Sequence, residues 1–368
     1  MTEGEAQIPG APRVCVLGPL VLALVMGPLD HAPRAGEEQI ARTASLAPGG
    51  SANRAVALAR MGLNTELVCS IGVDEAGAIV RRMLATHSVD VEHATRVPHQ
   101  AITAALGFDG DRALTTYGDL SAPSLKGMLV PPDALVGELG VLGENLETIA
   151  KWRRPGSLKG PNRAGSDRTW VLAECRWDPT GRWSGDDLDP LEQVDAFTLN
   201  EDEAKNYTRK ADARQAARQL LWSVPEVVVT LGPRGALAII DDEEILLPAA
   251  PAHTIDTTSA GHAFSAALVC ARMNGLGARA AVSMALLASA RSTETMGSFT
   301  HAPTLSELQR WTRARELPEG YDAEFLDLED PHAREEEPPR ADPGAPDDDT
   351  RDDSGFEAAS SIADSLSN

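Results

Sequence analysis

The stretch Gly49-Gly50-Ser51-Ala52-Asn53-Arg54-Ala55-Val56-Ala57-Leu58-Ala59-Arg60-Met61-Gly62 decides the fold. Two glycines and an asparagine lead into an Ala-rich helical pattern over residues 52–61. Glycines there permit close backbone approach, and the first N–H groups of a helix attract anionic or oxygen-rich ligands. Apolar runs flank it at residues 14–17 and 65–71, each short enough for a buried strand. Working outward, further strand-like runs fall at 170–173, 196–199 and 227–231, and helical patterns at 76–86, 211–222 and 260–273. This alternation predicts an α/β sandwich with a mainly parallel central sheet. Runs near 38–47 and 102–108, a turn at Asp109-Gly110 and a further run at 113–117 predict a small antiparallel lid beside it.

Composition agrees with a globular body. Of the 368 residues, 42% are hydrophobic and 24% charged, the balance of a protein with a sizeable core. The formal net charge of -22 is the wrong sign for a surface that neutralises nucleic-acid phosphates or anionic lipid. It is unevenly spread: from Glu319 onward 17 acidic residues stand against 3 arginines, a net of -14, leaving -8 for everything upstream. Residues 317–368 include Glu335-Glu336-Glu337-Pro338-Pro339 and Asp347-Asp348-Asp349. With so few large apolar side chains they cannot offset their ordering entropy, so they are expected to form a disordered tail that docks, if anything, on a basic partner. A flexible N-terminus over 1–12 and a surface loop over 153–168 are expected on similar grounds.

Cys15, Cys69, Cys175 and Cys270 are scattered singly, with no metal-ligand spacing, which fits a reduced, cytoplasmic protein. The apolar stretch 14–29 is short for a membrane span, is broken by Gly18-Pro19 and follows Glu3 and Glu5 where an export signal carries positive charge. No membrane role is expected.

Several separated motifs carry the chemistry. Gly72-Val73-Asp74-Glu75-Ala76-Gly77 marks a strand-to-helix junction, Asn200-Glu201-Asp202-Glu203 follows a strand, and Thr230-Leu231-Gly232-Pro233-Arg234-Gly235 ends one in a glycine turn. Asp256-Thr257-Thr258-Ser259-Ala260-Gly261-His262-Ala263-Phe264 then opens an Ala-rich helix suited to phosphate oxygens. In this order the motifs resemble the ribokinase-like (PfkB) family of ATP-dependent carbohydrate kinases over residues 13–316. The resemblance implies a three-layer α/β/α sandwich with lid pieces at about 19–47 and 98–120, a sugar or nucleoside substrate beneath the lid, and ATP in a groove at the sheet's carboxyl edge. It implies substrate contacts at Gly49, Gly50 and Asn53, indirect Mg2+ binding at Asn200 and Glu203, nucleotide contacts at Thr230, Gly232 and Gly235, and an anion hole at Ala260 and Gly261. Lids of such kinases often pair into homodimers.

Two positions depart from the family's pattern. Where relatives read Gly-Ala-Gly-Asp, with the Asp as general base, this chain reads Ser259-Ala260-Gly261-His262; a positioned base contributes about 10²- to 10⁴-fold in rate. Five residues beyond Gly18, where relatives carry a sugar-binding Asp, stands Ala23. Hydrogen bonds to a charged group contribute roughly 1.5–3 kcal/mol each. The departures leave two readings: a kinase with altered or impaired substrate chemistry, and a catalytically inactive member that binds nucleotide or sugar as a regulatory or scaffold subunit.

Overall fold

The structure is a computed structural model and describes residues 8–331 except 109–110, 159–165, 256, 258–259 and 295–301. The acidic tail beyond residue 331 and the Asp109-Gly110 turn therefore lie outside the described residues, as do Asp256, Thr258 and Ser259 of the second signature. The first half of the chain runs β1 (Arg13–Leu17), β2 (Leu20–Leu29), β3 (Thr43–Gly50), α1 (Ala52–Arg60), β4 (Asn64–Val68), β5 (Ser70–Gly72), α2 (Glu75–Ala85), β6 (Val89–Asp90), β7 (Thr95–Val97), β8 (Ile102–Phe108) and β9 (Asp111–Tyr117). The second half runs β10 (Ala134–Glu138), α3 (Leu139–Gly143), α4 (Leu146–Trp152), β11 (Trp170–Glu174), β12 (Ala196–Asn200), α5 (Glu201–Thr208), α6 (Ala213–Leu220), β13 (Glu226–Thr230), β14 (Ala236–Ile240), β15 (Glu243–Leu247), α7 (Ala260–Met273), α8 (Ala278–Ser292) and α9 (Leu305–Arg313).

Nine strands form the central sheet in the order β15-β14-β13-β12-β11-β10-β1-β4-β6. Every pairing from β13 to β6 is parallel; β14 and β15 finish one edge as antiparallel strands. A strand alternates its side chains between faces, so Val14 and Val16 of β1 enter one core and Cys15 and Leu17 the other. The first core is filled by α1, α2, α7, α8 and α9, the second by α3 to α6, giving the three-layer sandwich. The lid is a separate four-stranded sheet ordered β3-β2-β8-β9. Among the described residues no helix is long and apolar enough to cross a membrane.

Two local departures from the sequence pattern have physical reasons. The lid strand expected near 38–47 lies instead at Thr43–Gly50, because Ala44 to Pro48 align with Met26 to Leu22 and the Gly-Gly pair continues the ladder opposite Val21 and Leu20. β3 is an edge strand, where a proline's missing donor is tolerated. The single run 65–71 is split between two sheets: β4 pairs with β1, whereas β5 pairs with β7. Gly235 shows how the glycine turn is enforced. Its φ is +102°, and a β-carbon there would lie 1.9 Å from the Leu247 carbonyl oxygen of β15. Strained backbone of this kind costs on the order of 1–3 kcal/mol before any clash is counted, so G235A is expected to lower the free energy of unfolding by at least about 2 kcal/mol in urea titration.

Candidate active site

Because β13, β12, β11, β10 and β1 all run the same way, their carboxyl ends fall side by side along one edge: Thr230, Asn200, Glu174, Glu138 and Leu17, the last followed by Gly18. Ligands of open α/β sheets bind beyond this edge. The edge is closed on the lid side by the junction of β3 and α1. Gly50 there has φ +67°, and a β-carbon would come within 2.5 Å of the Pro19 carbonyl oxygen, the atom that accepts from the Ser51 N–H at 2.9 Å. A β-carbon at Gly49 would lie 3.4 Å from that of Ala23. The position that lacks the acid thus borders the glycine pair directly.

Helix α1 packs against α7, and both begin beside the same strand end. Arg54, one residue past Asn53, reaches from α1 to the end of β11 and donates from Nη2 to Oε2 of Glu174. Arg54 is 3% exposed, and the Glu174 side chain 12%. Burial pushes the Glu174 carboxyl up; the Arg54 charge, followed by that of nearby His262, more than offsets this and holds it below its ordinary value of 4.5. Glu174 therefore links the start of α1, through Arg54, to the start of α7, where His262 stands. At the start of α7, no atom of the described residues lies within 4 Å of where a β-carbon of residue 261 would stand.

On the other side of Glu174, Asn200 and Glu203 form a reciprocal helix cap. Glu203 N–H donates to Asn200 Oδ1 at 2.9 Å, and Asn200 N–H donates to Glu203 Oε2 at 2.8 Å. Glu203 is buried, which pushes its carboxyl up despite the bond from Asn200. Both side chains are thus committed to opening α5, and among the described residues no group of three or more His, Cys, Asp or Glu is placed to hold a metal ion. One strand further, Thr230 leads into a closed turn in which Leu231 N–H donates to the Gly235 carbonyl at 2.8 Å and Gly235 N–H to that of Gly232 at 3.0 Å. The Gly232 position also faces open space, and Arg234 pairs with Glu201 beside it.

A family model described as pfkB family carbohydrate kinase matches residues 11–134 and 165–305. The chain belongs to the PfkB carbohydrate kinase family. Among curated proteins it is 24% identical to the ribokinase of Bacillus subtilis (strain 168) over 307 residues, covering 81% of this chain and 98% of that one. It is 28% identical to fructokinase-2 of Zea mays over 247 residues, 61% and 70% of the two chains. The Thermotoga maritima ribokinase structure superposes with a TM-score of 0.65 at 21% identity over 82% and 99% of the chains. That of Arabidopsis thaliana ribokinase, solved with ribose and ATP, gives 0.65 at 19% over 82% and 98%.

The carbohydrate-kinase motifs divide unevenly between chemistry and construction. Asp74 of the first signature accepts from Gly77 N–H at 3.0 Å and from Gln100 N–H at 3.1 Å, and Gln100 in turn accepts from Gly72 N–H and donates to the Leu20 carbonyl. These residues tie α2 to the roots of the lid strands β2 and β8. Trp177 and Trp183 meet edge to face with centroids 4.9 Å apart, while Trp170 packs against the core on the α1 side. The paired side chains at this edge that sequence reading did not single out are Arg54 and Glu174. Their signals were present: an arginine among the alanines and valine of an apolar helix face and an acid at the carboxyl end of a buried parallel strand.

Removing one partner of a buried ion pair typically costs about 3–5 kcal/mol, because the other charge is left uncompensated. R54M is expected to lose stability in that range by chemical denaturation, and R54M/E174Q to recover most of it. The pH dependence has a defined sign. A carboxyl depressed in the folded state contributes fully above its ordinary 4.5 and progressively less as acid is added below it. The double variant is expected to lose less stability than the parent across that window.

Proposed function

We propose that this protein transfers the γ-phosphoryl group of ATP to a hydroxyl of a sugar or nucleoside. The observation that carries the reading is the convergence at one edge of the glycine pair with Ala23, Asn53 at the start of α1, and Ala260 to His262 at the start of α7, with open space at Gly232 and Gly261. In this reading Gly49, Gly50 and Asn53 hold the acceptor, Thr230, Gly232 and Gly235 face the nucleotide, and the backbone at Ala260 and Gly261 stabilises charge developing on the transferred group. ATP and ribose are bound by the Arabidopsis relative, which supports the same substrate classes here.

Magnesium chemistry fits this site in an outer-sphere form. Asn200 Oδ1 and Glu203 Oε2 are spent on the helix cap, so these residues would act through intervening water, the mode that a reluctantly dehydrated Mg2+ favours. When bound with the nucleotide, the ion neutralises phosphate charge. The acceptor loses the anchoring carboxylate that relatives place at the position of Ala23, so binding of simple sugars is expected to be weak. The inactive-member reading is favoured by the same two departures, Ala23 and His262, and differs in one respect: nucleotide stabilises the fold and no turnover follows.

Mg-ATP is expected to raise the melting temperature, and a panel of sugars and nucleosides to yield at least one phosphorylated product by mass spectrometry. A23D is expected to lower the acceptor KM by roughly 10-fold or more, the equivalent of one charge-assisted hydrogen bond. Stabilisation without product across the panel supports the inactive reading, and no response to nucleotide or sugar contradicts both.

A further inference from the structure

Buried polar atoms without partners are rare in folded proteins, and each calls for an explanation. Here most of them gather around one pair, with Glu226 Oε2 and Thr312 Oγ1 lying elsewhere. Among the described residues, Glu174 Oε1, Arg54 Nε and Nη1, Asn53 Oδ1 and Ser51 Oγ are all buried with no partner in hydrogen-bond geometry. All of them lie at the start of α1 and the end of β11, under the lid root. Ser51 caps nothing: α1 begins after it without a side-chain hydrogen bond. The charged groups that face Glu174 come from three helices: Arg54 of α1, His262 of α7 and Glu203 of α5. The hydroxyl of Ser265 on α7 also acts on the carboxylate as a weak donor and helps to hold its pKa down.

We infer that Glu174 is the general base of the phosphoryl transfer, supplying from the end of β11 the carboxylate that relatives carry at the position of His262. The inference rests on the kinase reading above. Its geometry is that of a carboxylate split between two tasks. Oε2 is bound by Arg54, which keeps the group ionised in a buried setting, and Oε1 is left as an acceptor with lone pairs to offer. Strand β11 lies between β12, which carries Asn200, and β10, which carries Glu138, so the carboxylate stands midway along the edge where acceptor and nucleotide meet. Oε1 is shielded from solvent, which keeps water from competing for it and requires neighbouring side chains to part as a substrate enters.

The step balances as follows. The acceptor hydroxyl oxygen forms a bond to the γ-phosphorus of ATP while the bond from that phosphorus to the β–γ bridging oxygen breaks. ADP leaves with that electron pair, and the hydroxyl proton passes to Glu174 Oε1. The carboxyl then releases it to water once the product departs. Arg54 is a positioning residue, fixing the carboxylate and its charge without touching the acceptor.

The test is steady-state kinetics on the full chain with Mg-ATP and whichever acceptor the wild type phosphorylates. E174Q is expected to lose at least 100-fold in kcat, with both KM values moving less than about threefold and the Mg-ATP thermal shift retained. Adding H262D to E174Q is expected to restore at least tenfold, because a carboxylate returns to the family's position. If E174Q destabilises the fold, R54M/E174Q removes both charges together and must show the same loss of kcat. An E174Q enzyme within threefold of wild type, or an E174Q/H262D enzyme no better than E174Q, overturns the inference and leaves the kinase reading standing. A wild type with no turnover on any acceptor overturns that reading, and the inference with it, before any substitution is made.

Discussion

A guanidinium cannot be left bare in a protein interior, and Arg54 is 3% exposed in a helix whose other buried residues are Ala, Val and Leu. Its one bonded partner, Glu174, lies 120 residues away at the end of β11. The pair therefore fixes the first turn of α1 to the middle of the sheet's carboxyl edge, with α7 packed alongside. Buried ion pairs are weak evidence for stability, since apolar residues of similar volume often serve as well or better. Several donors and acceptors around this one also go unused. A purely structural strut would have been cheaper to build from methyl groups, so the pair is more readily understood as part of the chemistry.

The remaining signature residues sort into two kinds of work. Asp74, Gly72, Gly77 and Gln100 form a hydrogen-bonded knot that holds the lid to the body. Asn200 and Glu203 open α5, and Gly232 with Gly235 shape the turn after β13. None of these needs a ligand to explain its presence. Their placement along one edge still creates a site, because five parallel strand ends and two helix starts leave polar backbone and open space together. The chain's departures at Ala23 and His262 fall inside that site, while the architectural residues around it are kept.

Much of this was legible in the sequence because it is local. The Gly-Gly pair, the Ala-rich helix after it and the apolar runs 14–17 and 227–231 depend on neighbours a few residues away. The register of β3 was not legible: it depends on pairing with β2, and the Pro48-Gly49-Gly50 run reads as a turn until that partner is in place. The split of 65–71 between two sheets likewise depends on β7, which no local pattern announces. Arg54 and Glu174 were each visible as a charge in an apolar setting, but their meeting is a property of how α1 crosses the sheet. Sequence reading therefore located the acid missing at residue 262 and could not show that the acid of residue 174 stands beside it.

The most direct measurement is a crystal structure of the protein with its acceptor and a non-hydrolysable ATP analogue. The account predicts the reacting hydroxyl within hydrogen-bond distance of Glu174 Oε1, with Oε2 still held by Arg54. A hydroxyl bonded to the His262 imidazole, with the Glu174 carboxylate remaining shielded beneath it, would contradict the account.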